Sequence, residues 1–269
     1  MTTTDNIKLT EEKETLFLTL YAKALDYRSR NSVLNDKTAN DIVEKIDINL
    51  EKHKEFGNRI IAVRARQLDE WTKNFLSKNK DAVVLNLGCG LDTRIARILP
   101  SSQTIWFDVD YPEVIELRKK FFSETSQYKM IASSVTTQDW LETIPADKPT
   151  LIIAEGLFSY LSEEEVKSLL NRLTNYFSHG EIIFNIISSS AVRVSKEKLK
   201  ETTGAVHKWS VDNINEIEKL NPQLKREEVI PLFKSAFMKK LPFAFRFLFG
   251  LASLSSKYSN MMQLLRYDF

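Results

Sequence analysis

From Ala82 onward the chain alternates short apolar runs with amphipathic ones, and that rhythm constrains the fold more than any other feature of the sequence. "AVVLNLG", "QTIWFDV", "YKMIASS", "TLIIAEG" and "EIIFNIIS" read as strands, with "NMMQLLRYDF" closing the chain as a sixth. Between them the spacing predicts helices starting near Asp92, Pro112 and Ser162. Strands that alternate with helices form a mostly parallel sheet covered on both faces, a doubly wound α/β architecture. Pro112 suits a first helical turn, and Ser162 followed by Glu165 is a capping box. Gly180 falls where the helix "LLNRLTNYF" is expected to stop.

The first 80 residues lack strands. They predict helices over "ETLFLTLYAKALDY", over "DKTANDIVEKI" with Asp36 as cap, and from about Asn58 to Ser77. This divides the chain into an N-terminal helical extension (1–80) and an α/β domain (81–269). Residues 191–224 form a loose, polar insertion after the fifth strand, with one helix in "SVDNINEIEKL".

Composition excludes several classes. A chain of 269 residues buries a core without staples, and its single cysteine, Cys89, rules out an internal disulfide or a multi-cysteine metal site. A net charge of +2 supplies no field for nucleic acid. Basic residues do cluster late: Lys225 to Lys257 holds seven Lys or Arg against two Glu. The start lacks a signal-peptide pattern, and the reduced cytoplasm is the expected location. "LPFAFRFLFGLASL" is too short for a membrane span and is interrupted by Arg246. Core packing is its leading reading, ahead of an acceptor-pocket wall and of a membrane surface.

The chemistry concentrates in "LNLGCGLDTR", residues 85–94. Gly88 and Gly90 end the first strand, where a doubly wound sheet binds its ligands. Asp108 and Asp110 follow Gly88 by 20 and 22 residues, the distance expected of an acid that holds ribose hydroxyls. A dinucleotide loop would carry a third glycine where Thr93 stands, and Asp92 beside it argues against a pyrophosphate. A cationic ligand that carries a ribose but no phosphate fits better, and S-adenosylmethionine is one.

"VVLNLGCGLDTRIARI", "FDVDYPEVIELRKKFF" and "IIAEGLFSYLSEEEVKSLL" together resemble the leucine carboxyl methyltransferase superfamily, nearest its bacterial polyketide O-methyltransferase branch. The likeness runs from about Thr15 to the C-terminus. It implies a seven-stranded class I methyltransferase sheet, S-adenosylmethionine as cofactor with S-adenosylhomocysteine as product, and no metal. It also implies residue roles. Gly88 and Gly90 hold the amino-acid end, Asp110 (with Asp108 the runner-up) the ribose, and Arg64 the methionine carboxylate, with Arg66 its alternative. Ser134 and Val135 stand at the adenine, where relatives carry Asp-Leu. Glu155 and Tyr160 line the transfer site. His53 and His179 show no ligand spacing, and His207 is the one histidine placed at a substrate pocket.

The expected activity is methyl transfer to a carboxylate or hydroxyl of a small, hydrophobic molecule. No nucleic acid and no stable membrane insertion are expected, and the oligomeric state is open. Methylation of a protein's C-terminal carboxylate is the competing substrate reading. A nicotinamide-dependent oxidoreductase and a non-catalytic binding protein are the alternatives from other classes. The sequence shows no His–Asp or paired-acid base, which favours a carboxylate acceptor.

Overall fold

A computed structural model of the protein describes residues 9–46 and 58–269; the extreme N-terminal stretch and His53 lie outside them. Seven strands form one sheet: β1 (Val83–Leu87), β2 (Ile105–Asp110), β3 (Tyr128–Ala132), β4 (Thr150–Ala154), β5 (Gly180–Ile187), β6 (Lys225–Pro231) and β7 (Met262–Asp268). Their order is β3-β2-β1-β4-β5-β7-β6, parallel except for β7, which runs antiparallel to both neighbours. β1 is buried at every residue, as a central parallel strand with both faces covered must be. Its side chains alternate between two cores. Val83, Leu85 and Leu87 face one side and Val84 the other.

The helices are α1 (Thr15–Tyr27), α2 (Lys37–Lys45), α3 (Asn58–Lys78), α4 (Arg94–Ile98), α5 (Pro112–Arg118), α6 (Glu163–Tyr176), α7 (Ser189–Thr203), α8 (Asn215–Leu220), α9 (Phe243–Ala252) and α10 (Ser256–Ser259). α6 and α8 cover one face of the sheet, α3 and α5 the other. α1 and α2 pack together over Leu91 and over Val114 and Leu117 of α5, above the end of β1. Local chemistry sets the starts of these helices. Asp36 accepts from Ala39 N at α2, and Ser162 and Glu165 form the reciprocal capping box at α6. Pro112 opens α5.

Four features differ from the sequence reading. β6 was not expected: its charged "KREEVIP" and the bulge between Arg226 and Glu228 belong to an edge strand, where charge blocks further pairing. Residues 191–203 are not loose but lie within a 15-residue helix, α7, capped by Ser188 and ended by Gly204 in the left-handed region. Only Leu199 and Thr203 of α7 are buried, so its apolar signal was faint. The apolar α9 stands exposed along nearly its whole length and is not core. Finally, Gly180 is not a helix stop. α6 ends at Phe177, and Gly180 begins β5, pressed against β4.

A Cβ at Gly180 would lie 2.0 Å from the Thr150 carbonyl oxygen. That contact cannot be relieved without moving the β4–β5 pair, so Gly180→Ala should cost about 3 kcal/mol or more. Urea unfolding checks this, and a loss below about 1 kcal/mol would contradict it.

Candidate active site

Above the carboxyl ends of β1, β2 and β4 lies a cavity of about 570 Å³, within the range of small-molecule sites. It brings together Arg64, Gly88, Gly90, Asp110, Ser134, Val135, Glu155 and Tyr160. Asp108 and Arg66 are not among its lining residues. Arg66 pairs with Glu70 on α3 and lies over the Phe237 ring.

Asp108 is committed beneath the sheet's edge. Its carboxylate pairs with Arg118 and accepts from Tyr128 Oη, Asn86 Nδ2 and Trp106 Nε1, all fully enclosed. Arg118 then donates Nη1 to the carbonyls of Gly90 and Asp92. The two glycines take positive φ, 61° and 48°, as a chain reversing over a strand end requires. Asp108 thus acts on the loop through Arg118.

Asp110 ends β2 inside the cavity. Its carboxylate accepts from the backbone N–H groups of Gly90 and Tyr111, both at 2.7 Å. Burial is the dominant influence and raises its pKa to about 6 in spite of those two donors. The unfolded carboxyl titrates near 3.8. Protonation of Asp110 therefore stabilises the fold fully below about pH 4, and that contribution is lost as pH rises through about 6. The ionised form is the one able to accept from ribose hydroxyls, so the site holds an anion at some cost.

Glu155 follows β4 and is fixed at both oxygens, by Arg64 Nε at 2.9 Å and Arg94 Nη2 at 2.5 Å. Burial pushes its carboxyl up, but Lys23, Arg64 and Arg94 outweigh burial and hold it at about 2. The contact extends into a buried lattice. Arg94 meets Asp69 and Asp92; Arg97 meets Asp36, Asp69 and Asp92; Lys23 of α1 meets Asp92 at 2.6 Å. Four cations (Lys23, Arg64, Arg94, Arg97) therefore face four carboxylates (Asp36, Asp69, Asp92, Glu155). Compensation by three of these cations removes the argument that Asp92 repels a phosphate. Thr93, in the place of a third glycine, is buried and donates to Asp36.

The far wall joins Tyr160 to His207, whose rings stack at 5.2 Å between centroids. Burial, and to a lesser degree nearby Glu12, raises the Tyr160 pKa, and the phenol hydrogen-bonds with Thr15. Burial lowers that of His207, which keeps the imidazole neutral near pH 7. His207 Nδ1 is buried without a hydrogen-bond partner among the described residues. Ser134 Oγ shares a hydrogen bond with Thr136 Oγ1 at 2.8 Å. Lys23 and Tyr111 line the cavity although the sequence reading did not name them. A single lysine on the apolar face of α1 was the available signal for Lys23. Tyr111 sits between the acid and the helix-opening proline. Among the described residues no cluster of His, Cys, Asp or Glu is arranged to hold a metal ion.

Replacing Glu155 by Gln keeps its shape but leaves Arg64 and Arg94 under-compensated where water cannot reach. Loss of roughly 3–5 kcal/mol of stability is expected, measured by denaturant unfolding. A change under about 1 kcal/mol would mean that the lattice does not depend on this carboxylate.

Comparison with known proteins agrees with this geometry. The family profile described as leucine carboxyl methyltransferase matches residues 2–174. The chain is 39% identical to the tetracenomycin polyketide synthesis O-methyltransferase TcmP of Streptomyces glaucescens, over 87% of this chain and 88% of that one. It is 33% identical to the S-adenosyl-L-methionine-dependent methyltransferase dpfgK of Gibberella zeae, over 82% and 83%. Among solved structures, a duf574 family protein from Streptomyces avermitilis has the same fold, with a TM-score of 0.58 and 10% identity over 92% of this chain and 96% of that one. The chain belongs to the leucine carboxyl methyltransferase family of S-adenosylmethionine-dependent methyltransferases.

Proposed function

We propose that the protein is an O-methyltransferase that moves the methyl group of S-adenosylmethionine to a small, hydrophobic acceptor. The observation that carries this reading is the convergence, in one cavity, of the buried Asp110 carboxylate, the Arg64 guanidinium and the paired loop glycines. When bound, the cofactor supplies an electrophilic methyl on a sulfonium. Asp110 accepts from the ribose hydroxyls; Arg64, oriented by Glu155, meets the amino-acid carboxylate. Gly88 and Gly90 leave room for that end, since a Cβ at Gly88 would meet Leu157 at 2.9 Å and one at Gly90 would meet Leu16 at 3.1 Å. Ser134 and Val135 flank the adenine. We take α1 and α2 as the cap over the site and residues 191–224 as its acceptor side.

Methyl transfer needs aligned reactants and excluded water more than it needs acid–base help. A carboxylate acceptor is already nucleophilic. A phenol, with a pKa of about 10, benefits from a base. Glu155, held at about 2, is too weakly basic for that task. His207 has the right state: neutral, on the cavity wall, with Nδ1 free of partners among the described residues. A specific observation therefore supports a hydroxyl acceptor beside the carboxylate one. The name of the Streptomyces relative places that protein in polyketide synthesis, which favours a small molecule over a protein C-terminus here.

Incubation with methyl-labelled cofactor and a panel of small aromatic carboxylic acids and phenols should yield a labelled product. Mild alkali releases methanol from an ester and leaves an ether intact, which assigns the acceptor atom. With a phenol, His207→Ala should lower turnover about a hundredfold or more; with a carboxylate it should change turnover little. Label transferred only to peptides ending in a free leucine carboxylate would overturn the small-molecule reading.

A further inference from the structure

Ten large apolar side chains stand exposed among the described residues, and seven of them lie in Phe243–Tyr258: Phe243, Phe245, Phe247, Leu248, Leu251, Leu254 and Tyr258. A helix that is apolar around its circumference is ordinarily buried, yet α9 touches the body mainly through Phe249, stacked on Phe233 at 4.9 Å. An apolar patch of this extent on an otherwise polar surface marks a place where something else sits.

Charge indicates what that is. No Asp or Glu occurs from Val229 to Tyr267. Lys234, Lys239, Lys240 and Arg246 are exposed there, and none forms an ion pair among the described residues. A second copy of the chain seated on this face would set these cations against their own equivalents, with no acid between them. An anionic lipid surface satisfies both features together, burying the aromatic residues among acyl chains and leaving the cations at the headgroups. Among the described residues no helix is long and apolar enough to cross a membrane, so the association would be peripheral.

We propose that α9 is an interfacial helix that seats the protein on an anionic lipid surface. Phe249 and Met261, from the same segment, line the cavity, so an apolar acceptor dissolved in the lipid would reach the site directly. That last clause alone rests on the O-methyltransferase reading; the surface does not.

The test is sedimentation of the full chain with vesicles of equal phosphatidylcholine and phosphatidylglycerol, beside vesicles of phosphatidylcholine alone. Binding should occur to the anionic vesicles, weaken as salt is raised, and be slight on the neutral ones. Two variants should each reduce it about a hundredfold: Phe243→Ser/Phe247→Ser/Leu251→Ser, and Lys239→Glu/Lys240→Glu/Arg246→Glu. All six positions are exposed, so the thermal midpoint should stay where it is for the native chain. Protein that remains in the supernatant with both vesicle types would overturn the proposal, as would equal binding to both. A stable dimer that the apolar variant converts to monomer would also overturn it, because a second copy would then be what covers the helix.

Discussion

Arg94 and Arg97 reach in from the first turns after the glycine loop and are met by carboxylates from four separate parts of the chain. Removing such charges from water is expensive, and the lattice is tolerable because its cations and carboxylates are equal in number and mutually hydrogen-bonded. A buried network of this kind is weak evidence of stability for its own sake. What it accomplishes is registration. The cap of α2, the middle of α3, the loop after β1, the start of α4 and the residue after β4 are all held to one another through it. Lys23 adds α1 to the same assembly. Arg64 reaches the cavity wall by way of Glu155, so the positioning of the cavity's chief cation follows from this lattice.

A second enclosed pair governs the opposite wall. Asp108 and Arg118 set the glycine loop by its carbonyls, turning the Gly90 N–H toward Asp110. Asp110 itself is held ionised against burial, a strain that two backbone donors relieve only in part. Sites that keep an under-satisfied charge give up stability for binding, and a ligand with two adjacent hydroxyls would restore what folding withholds. The cavity thus combines one rigid anion and one rigid cation, set by two different buried ion-pair systems.

Much of this was legible from local chemistry. Strand rhythm located every parallel strand, and Asp36, Ser162 with Glu165, and Pro112 marked their helix starts because capping acts within three residues. The glycines, Asp110, Arg64 and Glu155 were readable from motif spacing and the family resemblance, and they converge on one cavity. What escaped depends on partners distant in sequence. Asp92 looked like a repulsive charge because Lys23 and Arg97 could not be seen beside it. Asp108 looked equivalent to Asp110 because alternation alone cannot reveal Arg118 or Tyr128. Gly180 looked like a helix stop because the approach of Thr150 is a contact between strands. β6 was hidden by the charges that protect an edge, and α7 by its lack of an apolar face. α9 was misjudged for the opposite reason: apolar sequence ordinarily means core, and here it faces outward.

The central claim is that Asp110 and Arg64 form the two poles of a cofactor site, and one titration addresses it most directly. S-adenosylhomocysteine should be titrated calorimetrically into protein freed of any co-purified ligand, from about pH 8 down to about pH 5. The account predicts micromolar or tighter binding at the upper end, with affinity falling as the pH drops through about 6 and Asp110 takes up its proton. No binding by folded protein, or an affinity indifferent to pH across that interval, would contradict it.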